Sequence, residues 1–361
     1  MMQRRALVLL SALVLGGCGG SAKMEMYRSN PGHTGIYSGS VSNFNQLVWK
    51  FNSQAPIKTS SVISSGIAYF GNNAGFLFAV DLKSGAEKWR YKTDGPIGGA
   101  PLIANGIAYV GSHDGNLYAI DIATGQMKWK LPTGGSVTTS PVMAETTLYV
   151  GNVAGKLLAV DTVNGNERWS FDAGSPIYSS PALGSGLVFF GSDNMHLFAV
   201  EAGSGNERWR FTTEGKIHAS PTLNDGTVYV GSQDDALYAI EIKTGQQQWR
   251  YRTAAAINSE AAISGGTIYV GSQDGYLYAI NMSNQRPKWK YRIGDWVNSG
   301  VVVGGDLVYV GGFDKNLHAV NSSSGKLMWK INTQGSITAS AILDGNHLYF
   351  GSEDGFYYSV R

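Results

Sequence analysis

Eight side chains have the types and spacing to do chemistry: Lys58, Tyr178, Lys216, His218, Asn258, Glu260, Trp296 and Asn298. They stand where phrases that otherwise recur almost unchanged depart from their pattern. Together they describe a small polar site. Asn and Glu oxygens are ligands for Ca²⁺, and the Trp296 indole offers a face to a planar molecule. A carboxylate such as Glu260 can also take a proton from a substrate. Glu260 is the only carboxylate among the aligned positions, so the set is poor in the charge that metal binding and base catalysis demand. The plainer account is a water-filled channel whose lining is free to vary.

Other chemistry-bearing residues read as structural. Asp114, Asp234, Asp274 and Asp354 fall in S-x-D-G-like loops, where Asp caps a tight turn. Asp81, Asp121, Asp161, Glu201 and Glu241 precede Ser/Thr/Asn-Gly turns and order them. The histidines 33, 113, 196, 218, 318 and 347 are scattered without metal-ligand spacing. The sequence carries no nucleophile elbow, P-loop or zinc motif.

The elements that must hold the eight residues follow from a repeat. LYAIDIATGQMKW, residues 117–129, is an alternating run, a Thr124–Gly125 turn and a second run ending on Trp129. Variants of it end at Trp89, Trp169, Trp209, Trp249, Trp289 and Trp329, and FNQLVWK adds Trp49. Every step is 40 residues, and only Trp296 lies off the lattice. A fixed period of that length signals a radial or solenoid repeat. Within 96–131, PIGGAPLIA, IAYVG, LYAID and MKWKL read as four strands separated by good turn formers. Four antiparallel strands per period make a propeller blade.

Seven such units are complete, and 334–361 holds three further strands. Residues 44–51 carry Trp49 in phase and supply the missing fourth. The predicted fold is all-β: an eight-bladed β-propeller of four-stranded antiparallel blades over 41–361, closed by the N-terminal strand completing the last blade. Closure removes a sheet edge that would invite aggregation. Aligning the first strands on Ile57, Ile97, Val137, Ile177, Ile217, Ile257, Val297 and Ile337 puts the candidate residues at the axis, since the first strand of a blade is innermost. Lys58, Tyr178, His218, Asn258 and Asn298 follow the core residue directly. Lys216 and Trp296 precede it, and Glu260 stands three after it in a series of mostly Ser.

Net charge is +2, with 15% charged residues, too little and too evenly spread for a nucleic-acid partner. At the N-terminus MMQRR precedes an apolar run, ALVLLSALVL, too short to span a bilayer. Leu15–Cys18 (LGGC) resembles the lipobox of bacterial lipoproteins. That resemblance implies a signal peptide over 1–17, lipid on Cys18, and a lipidated linker and lead-in over 18–40. Cys18 is the only Cys, so it has no intrachain disulfide partner. Gly19 follows where an Asp would favour inner-membrane retention, which implies an extracytoplasmic location on the periplasmic face of the outer membrane.

The phrase A-(V/I)-(D/E/N)-x-x-(S/T/N)-G-x-x-x-W resembles the tryptophan-docking motif of PQQ-type quinoprotein β-propellers, and MYRSNPGHTG (26–35) resembles their lead-in. The resemblance implies that Trp49, Trp89, Trp129, Trp169, Trp209, Trp249, Trp289 and Trp329 pack between neighbouring blades. In the copy ending at Trp289, Gln285 replaces the turn glycine and Pro287 follows, which predicts a looser turn and a less secure Trp289 contact. Two branches imply opposite functions. Quinoprotein dehydrogenases hold PQQ with calcium at the axis, and many use a vicinal disulfide that a single Cys does not allow. BamB-type lipoproteins are cofactor-free scaffolds of the outer-membrane β-barrel assembly machinery. Lipobox, blade number and length match the second branch. The expectation is a non-enzymatic scaffold with no cofactor and no metal, partnered by a membrane-associated protein complex. A PQQ-dependent oxidoreductase and a small-ligand or polysaccharide-binding propeller are the alternatives.

Overall fold

The computed structural model describes residues 24–44 and 46–361. Eight antiparallel sheets surround a central axis. The second blade is typical: Leu102–Ala104 innermost, then Ile107–Gly111, Asn116–Asp121 and, on the rim, Met127–Pro132. Alternation in the third strand reads as one wet face and one dry. In the fold Leu117, Tyr118, Ala119 and Ile120 are all buried, because each blade is sandwiched between two others. Only the rim strand alternates in exposure, and its register slips by one residue opposite Ala119 and Ile120.

The blades are fastened by small-to-large contacts that repeat with the sequence. Gly71 at the end of a second strand lies against Ile97 of the next blade, and Gly351 against Ile57 closes the series; a Cβ on either glycine would collide with the isoleucine. The indoles form the outer fastening. Trp49 covers Gly85 of the following blade and donates its N–H to Leu82 O at 2.9 Å. Trp89 does the same on Gly125 and Ile122 O, at 2.8 Å. Trp129, Trp169 and Trp209 repeat the arrangement on Gly165, Gly205 and Gly245. Each indole buries a large ring and satisfies its polar N–H in one contact.

Trp289 keeps this contact fully: it covers Gly325 and bonds Ser322 O at 3.0 Å. The loosened position is Trp249, because an indole docks on the turn of the blade after its own. The turn in that position carries Gln285, held at φ 56°. Among the described residues, Trp249 alone of the eight makes no hydrogen bond through its indole.

Leu47–Asn52 pairs antiparallel with Phe356–Val360, so the last blade is stitched from both ends of the chain. The innermost strands are shorter than PIGGAPLIA implies. Only Leu102–Ala104 joins the ladder, and the innermost strand is three residues long in every blade, with or without the prolines found at 96 and 101. Residues before it bond between blades: Ile97 N donates to Asn72 O and Ala100 N to Ser140 Oγ.

From Met24 onward, the expected lead-in lies on the ring. Met24–Glu25 adds an antiparallel strand to the second blade, and Ile36–Tyr37 a parallel one to the seventh. Between them the carbonyls of Pro31, Gly32, Thr34 and Gly35 accept from Leu183, Leu223, Ile263 and Val303, the innermost strands of blades four to seven. The segment therefore crosses the axis and closes one end of the channel.

Candidate axial site

The axis is built from short segments ahead of the innermost strands. Ala100 N donates to Ser140 Oγ, Ser140 N to Ser180 Oγ, and Ser180 N to Ser220 Oγ, at 2.9–3.1 Å. Ser340 N donates to Ser60 Oγ at 2.9 Å, across the seam between the last and first blades. This belt of small side chains, one per blade, breaks twice. Glu260 replaces serine in the sixth blade and Gly300 in the seventh.

Both breaks are explained by Arg28 of the crossing segment. Its side chain is buried, with Nε donating to His33 O at 3.1 Å and Nη2 to Ala261 O at 2.5 Å and Val301 O at 2.9 Å. Nη1 occupies the space that a Cβ on Gly300 would need. Glu260 supplies the opposing charge. Burial pushes its carboxyl above the usual glutamate range, while the Arg28 charge opposes that shift. The phenol of Tyr27, raised by burial and then by the Glu260 charge, faces Glu260 and Ser340. His33 is pushed down to about 3 by burial and by Arg28, so it stays neutral.

Above this floor lies a cavity of about 150 Å³ lined by all eight blades. Lys58, Tyr178, Glu260 and Asn298 stand on its wall; Lys216, His218, Asn258 and Trp296 do not. These four surround the open end instead, among loops that sequence reasoning passed over. Asp193 accepts from Lys216 Nζ and His218 Nε2, both at 2.7 Å. Gln233 Nε2 donates to His218 Nδ1 at 3.1 Å and Asn258 Oδ1 at 3.4 Å, and Gln273 Nε2 to Asn298 Oδ1 at 3.1 Å. Burial raises Asp193, but bonds from Lys216 and His218 outweigh it and hold the carboxyl below its usual range. Both ring nitrogens of His218 are thereby engaged within the protein. Trp296 packs edge-on against Phe313 and is 51% exposed.

The residues do not fit PQQ with calcium. The cavity is half the volume of the smallest usual small-molecule pocket, about 300 Å³, and Glu260 is the only carboxylate on its wall. An arginine, rather than a second acid, stands beside it. Among the described residues no group of three or more His, Cys, Asp or Glu is placed to hold a metal ion. The loop aspartates bind their own turns: Asp114 accepts from Asn116 N and Tyr118 OH, and Asp274 from Tyr276 N and Tyr278 OH. Cys18 and the expected signal peptide lie outside the described residues.

Arg28, Tyr27, Asp193, Gln233 and Gln273 were not among the sequence candidates. A charge and a vacated volume in adjacent blades, Glu260 and Gly300, were the signal for a cationic guest. Asp193 was signalled by blade four's GSDN, which departs from S-x-D-G.

The fold and its crossing segment define a PQQ-repeat β-propeller with one end of its channel closed. The chain belongs to the family described as outer membrane protein assembly factor BamB, which matches residues 38–176 and 164–360. No curated protein matches the sequence. Among solved structures, BamB from Moraxella catarrhalis is 18% identical with a TM-score of 0.76, over 88% of this chain and 99% of that one. Quinohemoprotein alcohol dehydrogenase from Comamonas testosteroni is 14% identical with a TM-score of 0.80, over 93% and 80%. The computationally designed Ika8 protein is 17% identical with a TM-score of 0.78, over 88% and 99%. At these identities the likeness is one of fold.

Proposed function

We propose that this chain is a non-enzymatic, lipid-anchored scaffold in the assembly of outer-membrane β-barrel proteins, held at the periplasmic face of the outer membrane through Cys18. Family membership supports the role. The observation that carries the non-enzymatic part is the placement of Arg28 beside Glu260, which sets the one carboxylate on the cavity wall against a cation of the chain's own N-terminal segment. A rigid ring with eight sets of exposed turns suits a protein that presents surface rather than chemistry.

Affinity purification of the full chain from cross-linked membranes tests this. The expected result is co-recovery of an integral outer-membrane β-barrel protein, lost together with membrane fractionation in Cys18→Ser. Recovery of the chain without any such protein would sink the assembly role, and unchanged fractionation of Cys18→Ser would sink the anchor.

The likeness to a quinohemoprotein dehydrogenase favours a second reading, a PQQ-dependent oxidoreductase. Titration with PQQ in the presence of Ca²⁺ separates the two. The scaffold reading expects no saturable binding at micromolar PQQ; saturable binding that disappears in Glu260→Gln would replace it with the second.

A further inference from the structure

The open end of the axis is not uniform. Blades four to seven place Tyr178, His218, Asn258 and Asn298 at equivalent positions, whereas blades two, three and eight place Gly98, Thr138 and Thr338 there. Apart from Lys58 of blade one, which is tied to Glu353, the large side chains thus occupy one arc. Two of the few exposed large hydrophobic side chains belong to it: Tyr178, whose ring lies 4.9 Å from that of His218, and Trp296.

The polar groups of the arc are held in place and half used. Gln233 and Gln273 spend their amide N–H groups on His218, Asn258 and Asn298, while Asn258 and Asn298 spend only their oxygens. Among the described residues, Gln233 Oε1, Gln273 Oε1, Asn258 Nδ2 and Asn298 Nδ2 make no bond within the protein. Two oriented acceptors and two oriented donors therefore remain along neighbouring blades. Vicinal hydroxyls, each of which donates and accepts, satisfy that pattern. Pre-oriented groups also bind without the cost of ordering flexible ones.

The charge balance narrows the ligand. Lys216 is paired with Asp193, Lys58 with Glu353 at 3.3 Å, and Arg28 stands against Glu260. Those charges offset one another, and Asp295, which accepts from Trp296 N at the end of the arc, is left without an ion pair among the described residues, which disfavours an anionic ligand. The cavity beneath the arc has an almost wholly polar wall, so it offers no apolar pocket for the side chain that anchors a peptide. Exposed aromatic rings beside fixed amides instead match the apolar faces and hydroxyl edges of a pyranose.

We propose that this arc, from Tyr178 to Trp296, is a binding site for a neutral oligosaccharide. Sugar rings lie on Tyr178 and Trp296, and their hydroxyls bridge the free ends of Gln233, Asn258, Gln273 and Asn298. The site goes beyond the scaffold role and does not depend on it: failure to bind sugar leaves the membrane co-purification result untouched.

Isothermal titration of the full chain with cellohexaose, maltohexaose and chitohexaose tests the proposal, alongside a library of extended hexapeptides. Saturable binding of at least one sugar is expected. Tyr178→Ala and Trp296→Ala should each weaken it by about tenfold or more, as loss of an aromatic platform does, with melting temperatures unchanged. Asn258→Leu should weaken it as well, and Met328→Ala, on the rim, should have no effect. Binding to none of the sugars, sugar binding indifferent to the arc variants, or binding of hexapeptides alone would overturn it.

Discussion

Arg28 lies across Gly300, its Nη1 filling the space that any side chain at that position would claim. The neighbouring blade answers with Glu260, whose carboxylate borders the same space. One arginine from outside the repeat thus accounts for two of the three places where the axial belt departs from serine, Ala100 being the third. Restoring the repeat at either place should therefore harm the protein.

Gly300→Ser writes the consensus residue back into the seventh blade. Its side chain would have to displace Arg28, Ser340 or Glu260. Overpacking of this kind costs about 1–3 kcal/mol. Urea denaturation should show a lowered midpoint; a variant as stable as the parent would mean that Arg28 is not seated over Gly300.

Arg28→Met removes three hydrogen bonds to buried main-chain carbonyls as well as the charge beside Glu260, and should cost about 3–5 kcal/mol. Adding Glu260→Gln should return much of that loss, and a double-mutant cycle measures the coupling.

The same pair governs a pH dependence. Glu260 has its folded pKa raised above the ordinary value of 4.5, so the folded protein holds that proton more tightly than the unfolded chain. The resulting stability is complete below the ordinary value and is lost as pH rises through the raised one. Because Arg28 opposes the shift, Arg28→Met should extend the loss to higher pH. As pH rises above the ordinary glutamate value, denaturation midpoints of Arg28→Met should fall further than those of the parent, and Glu260→Gln should abolish the difference.

Trp209 donates to Ile242 O at 2.8 Å, whereas Trp249 faces the Gln285 turn without a bond. Replacing each by Phe keeps most of the ring and removes the N–H. Trp209→Phe should cost about 0.5–1.5 kcal/mol more than Trp249→Phe, the net worth of one hydrogen bond. Equal losses would show that the indole bonds do not fasten the blades.

Deleting residues 41–51 removes the strand that pairs with Phe356–Val360 and also the carbonyl of Val41, which accepts from Trp329 at 2.9 Å. The last blade would then expose an unpaired edge. Light scattering should report aggregation, and a soluble truncation of parental stability would refute closure by this strand.

The sequence by itself determined the ring: a 40-residue period, turn glycines and phased indoles specify each blade locally, and each contact between blades repeats one already made. The count of eight and the seam at Trp49 were legible for the same reason. That Glu260 and Gly300 depart from a belt of mostly serine was also legible. Their meaning was not. Only the tertiary structure decided that Glu260 faces Arg28, a residue 232 positions away in the chain, because the crossing segment obeys no repeat and no local pattern says where it lies. It likewise decided that Gln285 unsettles Trp249 rather than Trp289, since docking runs from one blade to the next and the direction of that step is a property of the closed ring. The arc from Tyr178 to Trp296 belongs to the same class: its residues are distant in sequence, and loops from adjacent blades orient them only once the ring has closed.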